Sequence, residues 1–163
     1  MAFPINRNLA LKKQTDLERW SNADALEEAW DLRAEMAAEL IPAGARVLDL
    51  GCGRMALRKF LPPECSYQAC DLVARDADTI VCDFNAGAFP IVPAGAADLI
   101  TLLGVLEYVT DLDGFMAHLR ESQCDIVASY CPQDYSAGAD RAALGWLNHL
   151  TLQELAELFA RFG

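Results

Sequence analysis

The feature that most constrains this chain is the run Val47-Leu48-Asp49-Leu50-Gly51-Cys52-Gly53. A short apolar stretch of this kind, bounded by turn residues, reads as a buried strand. It breaks at two glycines, and the amphipathic segment 54–61 follows at once and reads as a helix stopped by Pro62-Pro63. A strand that runs through a glycine turn into a helix is a cofactor-binding arrangement, because backbone N–H groups approach a ligand closely where no Cβ intervenes. Asp49 is the odd residue. A carboxylate inside an apolar strand is costly unless something polar pairs with it.

The remaining pattern alternates strands with helices. Short strands are expected at 67–70, 79–82, 97–103 and 125–130, ending near Asp71, Asp83, Gly104 and Pro132. Helices are expected over 15–20, from a cap at Ser21 or Asn22 to Leu40, over 112–121 behind Thr110 or Asp111, and from the Thr151–Glu154 capping box to Phe162. Such alternation implies parallel strands in an open α/β sheet with helices on both faces. Ligands of such sheets bind beyond the carboxyl ends of the strands. The 163 residues suit one domain, taken as 22–163 behind an N-terminal arm at 1–21.

Composition excludes several classes. A net charge of −11 repels a phosphate backbone, so a nucleic-acid partner is not expected. No apolar run reaches the length of a membrane span, and residues 1–8 lack the apolar region of a signal peptide. Six cysteines (Cys52, Cys65, Cys70, Cys82, Cys124 and Cys131) contain no C-x-x-C pair, and only two histidines accompany them. That pattern does not build a zinc site and reads as reduced, buried thiols in a cytoplasmic protein.

Candidate site residues gather at the strand ends. Asp71, 22 positions after Asp49, can accept hydrogen bonds from two vicinal ribose hydroxyls, or serve as a strand-end turn residue. Asp83 beside Phe84 suits an adenine ring, the carboxylate accepting from the exocyclic amine, or is a surface carboxylate beside a core phenylalanine. Glu107, in Gly104-Val105-Leu106-Glu107-Tyr108, is either a base or ammonium partner near the reacting group, or a charge at a helix start. Tyr130 and His149 are the other candidates; a histidine at 149 can take a proton from a nucleophile or simply pack under its loop.

Taken in order, Val47 to Gly53, Asp71, Asp83-Phe84-Asn85 and Asp98-Leu99-Ile100 leading to Gly104–Tyr108 resemble a class I S-adenosylmethionine-dependent methyltransferase of Rossmann-like fold. The stretch Asn148-His149-Leu150-Thr151 is similar to the segment after strand five in small-molecule members. The resemblance implies S-adenosylmethionine as cofactor, with Gly51, Cys52 and Gly53 cradling its methionine part over Asp49. It implies Asp71 at the ribose, Leu72, Asp83 and Phe84 around adenine, and Leu103 and Gly104 at the amino-acid end. The implied reaction is methyl transfer to a small-molecule acceptor, with His149 as the one candidate catalytic residue. Two departures stand out. Met55 occupies the position where the family pattern has a third glycine, so a side chain is expected near the methionine tail. Only five strands are found of the family's seven, which would leave strand five with a free edge and favour a homodimer. Both departures motivate an alternative, a methyltransferase-like binding or assembly module with little turnover. An NAD-dependent oxidoreductase shares the strand–glycine–helix geometry, but the third glycine of its fingerprint is missing here and Asp49 is atypical for it.

Overall fold

The computed structural model describes residues 9, 12, 14–22, 26–90, 93 and 95–162. They form a five-stranded, all-parallel sheet in the order β3-β2-β1-β4-β5. The strands are β1 (Arg46–Leu50), β2 (Ser66–Asp71), β3 (Ile80–Val81), β4 (Leu99–Leu103) and β5 (Asp125–Ser129). The open parallel sheet expected from the alternation, and the Rossmann-like architecture implied by the resemblance, are therefore present. β1 lies at the centre because Val47, Leu48 and Leu50 are apolar towards both faces, and all are buried.

Two cores sandwich the sheet. Leu48, Leu50, Ile100 and Leu102 face one way and pack under α3 (Leu112–Ser122) and α4 (Leu152–Phe162), through Phe115, Met116, Leu119 and Leu158. Val47 and Leu99 face the other way, against α2 (Asp31–Ala38). α3 starts where sequence indicates: Asp111 Oδ1 accepts from the Gly114 N–H at 3.0 Å. The capping box of α4 also forms, with Glu154 N–H to Thr151 Oγ1 at 3.2 Å and Thr151 N–H to Glu154 Oε2 at 2.8 Å.

The helices on the second face depart from the expectation. No helix runs from Ser21 to Leu40. A five-residue α1 (Leu17–Ser21), capped by Asp16, is separated from α2 by an extended Glu27 and a single 3-10 turn at Glu28–Trp30. Residue 24, expected in a first helical turn, lies outside the described residues. α2 also turns a different face inward. Ala34, Ala37 and Ala38 are buried, whereas Leu32, Met36 and Leu40 are more than 60% exposed. The small alanines let the helix lie close on the sheet.

The helix expected over 54–61 is only one 3-10 turn, Ala56–Lys59. Met55 precedes it in the left-handed region (φ +55°), where an α-helix cannot propagate. Between β2 and β3 there is no helix at all; residues 72–79 bridge the two strands directly. No helix among the described residues is long and apolar enough to cross a membrane.

Candidate active site

At the carboxyl edge of the sheet a cavity of about 600 Å³ opens beside the glycine turn. Asp49 forms its floor. Its neighbour across β4 is Thr101, and Tyr67 stands two residues before its β2 neighbour Ala69, on the same face. Thr101 Oγ1 donates to Asp49 Oδ1 and Tyr67 OH donates to Oδ2, both at 2.7 Å. Two short bonds answer the cost of burying the carboxyl. Burial still pushes the Asp49 carboxyl above its ordinary range, and burial beside Asp49 pushes up the Tyr67 phenol.

The glycine turn follows. Gly51 has φ +72°, and a Cβ there would meet Val105 Cγ2 at 2.5 Å, so the position excludes side chains twice over. The turn is fastened to the end of β2. Gly51 and Cys52 N–H groups donate to Cys70 O at 2.8 and 3.1 Å, and Gly53 N–H donates to Asp71 Oδ2 at 2.7 Å. Asp71 Oδ1 accepts from the Leu72 N–H at 2.7 Å and from Arg75 Nη2 at 3.1 Å. Cys52 approaches Oδ2 with its sulfur at 3.8 Å, and burial pushes its thiol up. It is a neutral thiol, not a nucleophile.

Asp83 caps the short turn after β3, accepting from the Asn85 N–H at 2.9 Å. Phe84 packs against Phe115 of the core, the rings tilted by 56° with their centres 5.1 Å apart, and it borders the cavity. Asn85 binds this turn to the loop after β4, donating to Tyr108 O at 2.9 Å and accepting from the Thr110 N–H at 2.8 Å.

At the end of β4, Leu103 and Gly104 complete the rim. Gly104 has φ +73°, and the space its Cβ would fill is taken by the Arg33 guanidinium of α2. Arg33 is the main residue that sequence reading missed. Its Nε is buried without a partner, and no described residue accepts a hydrogen bond from its guanidinium or pairs with it. Trp30 flanks it, ring centre 5.5 Å from Cζ, and burial lowers its pKa despite the pull of Glu107 and Asp49. A desolvated guanidinium without a hydrogen-bond acceptor among the described residues, open to a cavity, is suited to an anion.

Glu107 is buried and holds loops together. Its Oε1 accepts from the Cys131 N–H at 2.9 Å, and its carbonyl accepts from the N–H groups of Leu147 and Asn148 at 2.7 and 3.2 Å. Burial raises its carboxyl pKa. The far wall of the cavity is aromatic: Trp20, Trp30, Tyr108 and Trp146. Trp20 meets Tyr108 edge-on at 4.9 Å, and Trp146 Nε1 donates to Tyr108 OH at 2.9 Å.

All ten expected cofactor-site positions (Asp49, Gly51, Cys52, Gly53, Asp71, Leu72, Asp83, Phe84, Leu103 and Gly104) border this one cavity. His149 does not. It is exposed, and its Nδ1 accepts from Arg141 Nε at 3.0 Å. Tyr130 borders the cavity, but its hydroxyl accepts from Arg141 Nη2 and the Leu150 N–H, at 3.1 and 3.0 Å. Met55 is not among the bordering residues, so the side chain expected near the methionine tail is directed elsewhere. Arg33, Trp20, Trp30 and Trp146 carry no spacing signal. Only the approach of α2 and the loops to the strand ends brings them in.

Solved structures share this fold. The [4+2]-cyclase SpnF superposes with a TM-score of 0.62 at 18% identity, covering 82% of this chain and 56% of that one. An S-adenosylmethionine-dependent methyltransferase from Thermotoga maritima gives 0.59 at 13%, with 90% and 74% covered. Another from Mesorhizobium loti gives 0.55 at 19%, with 85% and 82% covered. The chain thus spans little more than half the length of the cyclase. No curated protein sequence matches it. A family model described as a methyltransferase domain matches residues 19–163, nearly all of the chain, and with the parallel sheet and glycine turn in place the chain belongs to that family, the class I S-adenosylmethionine-dependent methyltransferases.

Proposed function

We propose that this protein transfers the methyl group of S-adenosylmethionine to a small-molecule acceptor. The observation that carries this reading is the Arg33 guanidinium, without a hydrogen-bond acceptor among the described residues, bordering the same cavity as the glycine turn, Asp71 and Asp83. An elongated ligand with a carboxylate at one end and an adenosine at the other fits that distribution. Arg33 holds the carboxylate beside Gly104, where the absent Cβ leaves room for the guanidinium. Asp71 accepts from a ribose hydroxyl, Leu72 lines the adenine pocket, and Asp83 with Phe84 meets the ring edge and face. Asp49, below the turn, holds the loop through the strands on either side of it.

The cofactor supplies a methyl group already activated on a sulfonium, so the protein's work is orientation and exclusion of water. The aromatic wall of Trp20, Trp30, Tyr108 and Trp146 does the latter and gives the acceptor an apolar surface to lie on. No proton-transfer role falls to His149, which does not border the cavity and is bonded to Arg141. Glu107 is tied into its loops through Oε1 and its carbonyl, while its Oε2, without a hydrogen-bond partner among the described residues, borders the acceptor side. A module without turnover is the reading that Met55 and the five-stranded sheet motivate; the Met55 side chain does not border the cavity, which removes the first of these grounds.

Isothermal titration with S-adenosylhomocysteine tests the reading. Binding is expected, weakened about tenfold or more in Arg33→Met, the typical loss of one hydrogen bond to a charged group. Absence of binding at millimolar ligand would overturn it.

A further inference from the structure

Residues 14–22 lie across the cavity with little apolar anchoring. No residue of α1 is buried, and Leu17 is 54% exposed. What holds this strap is polar. Arg75 Nη2 donates to Trp20 O at 2.6 Å and to Asp71 Oδ1 at 3.1 Å. Thr15 Oγ1 donates to Asp83 Oδ1 at 3.4 Å and accepts from Asn85 Nδ2 at 2.8 Å. Arg19 Nη1 donates to Leu144 O at 3.0 Å. Two of these anchors end on the carboxylates assigned above to adenosine. The strap in turn carries Trp20, which stands against Tyr108 and Trp30 in the aromatic wall.

The Arg75–Asp71 pair is itself buried, the side chains 9% and 8% exposed. A carboxylate has about four acceptor positions on its two oxygens. In Asp71 three are filled by strong donors: Leu72 N–H and Arg75 on Oδ1, and Gly53 N–H on Oδ2. The fourth, on Oδ2, faces only the Cys52 sulfur at 3.8 Å, a weak donor. One strong acceptor position therefore remains open towards the cavity. The guanidinium opposite fixes the direction of the carboxylate.

We propose that Arg75 is a positioning residue with two connected tasks. It holds Asp71 so that the open position on Oδ2 accepts a ribose hydroxyl, and it fastens the Trp20 strap to the same carboxylate. Ribose binding and closure of the acceptor wall then support one another through a single guanidinium. The inference rests on the reading of the cavity as an S-adenosylmethionine site, and deepens it.

The test compares S-adenosylhomocysteine with its 2′,3′-dideoxy analogue by calorimetry, in the full chain and in Arg75→Met, Arg75→Lys and Thr15→Val. In parallel, tryptic cleavage after Arg19 is followed by mass spectrometry with and without S-adenosylhomocysteine. The unaltered protein is expected to prefer the hydroxylated ligand by about tenfold, and that ligand should slow cleavage after Arg19. Arg75→Met should lose the preference between the two ligands while still binding the dideoxy analogue, and should be cut quickly whether or not ligand is present. That selective loss is not what a general structural defect produces. Arg75→Lys keeps a charge beside Asp71 and should recover the preference, yet still be cut quickly for want of the Trp20 bond. Thr15→Val should keep the preference and be cut faster. Should Arg75→Met fail to fold, the Lys and Val variants decide. An unchanged ribose preference in Arg75→Met overturns the inference, as does slow cleavage in Arg75→Lys or a ligand that leaves cleavage of the unaltered protein unaffected. Binding of neither ligand by the unaltered protein would instead remove the methyl-transfer reading beneath it.

Discussion

Met55 shows what a family pattern means in physical terms. Its φ of +55° lies in the left-handed region, which costs a residue bearing a Cβ about 1–2 kcal/mol. A glycine is at home at that position because the backbone turns left there, and here a methionine bears the strain instead. Its side chain does not border the cavity. Met55→Gly should therefore raise stability by up to about 1 kcal/mol, the relief of strain being partly offset by the greater freedom of glycine in the unfolded chain. It should leave S-adenosylhomocysteine affinity unchanged. Urea denaturation together with calorimetry checks both halves, and a large gain in affinity would show that the side chain does obstruct the ligand. Gly51 offers the contrasting case. There a Cβ meets Val105 at 2.5 Å as well as an unfavourable φ, so any substitution distorts the turn.

At the scale of elements, the strands were legible in the sequence and the second layer of helices was not. Val47 to Leu50 and Leu99 to Leu103 are covered on both faces, so their apolar runs announce them directly. α2 hides its core face in alanines, while its leucine and methionine point outward; the larger apolar residues misdirect any reading by periodicity. The carboxylates at strand ends were visible for the same reason as the strands. Arg33 was not, because nothing in the spacing of a helix records which loop it will overhang. The central strand also makes a prediction about pH. Burial raises the Asp49 pKa, so the neutral form is favoured by folding. The associated stability is full below the unfolded value of about 3.9 and is lost as pH rises through the folded value. Asp49→Asn has no such group. The stability difference between the wild type and this variant should therefore shift in the variant's favour as pH is raised from about 4 towards neutrality. A series of urea titrations across that range measures it, and a difference independent of pH would contradict the shift.

For the molecule as a whole, the net charge of −11 acts on whatever approaches the cavity. S-adenosylmethionine carries one positive charge more than S-adenosylhomocysteine, so long-range attraction favours it alone. Raising ionic strength should slow association of the methylated cofactor and leave the demethylated product nearly unaffected, as stopped-flow binding at low and high salt would show. Equal salt dependence for the two would mean that the field at the cavity mouth is already neutralised locally.

The whole fold also depends on Asp49 in another way. Its two hydroxyl donors come from strands on opposite sides, Tyr67 at 18 positions along the chain and Thr101 at 52. A slip of either neighbour by one residue would turn that hydroxyl to the opposite face and leave an acidic group stranded in an apolar interior. Mispaired sheets are thereby penalised during folding, before any cofactor is met. The same carboxyl that floors the cavity thus serves as an error check on strand assembly.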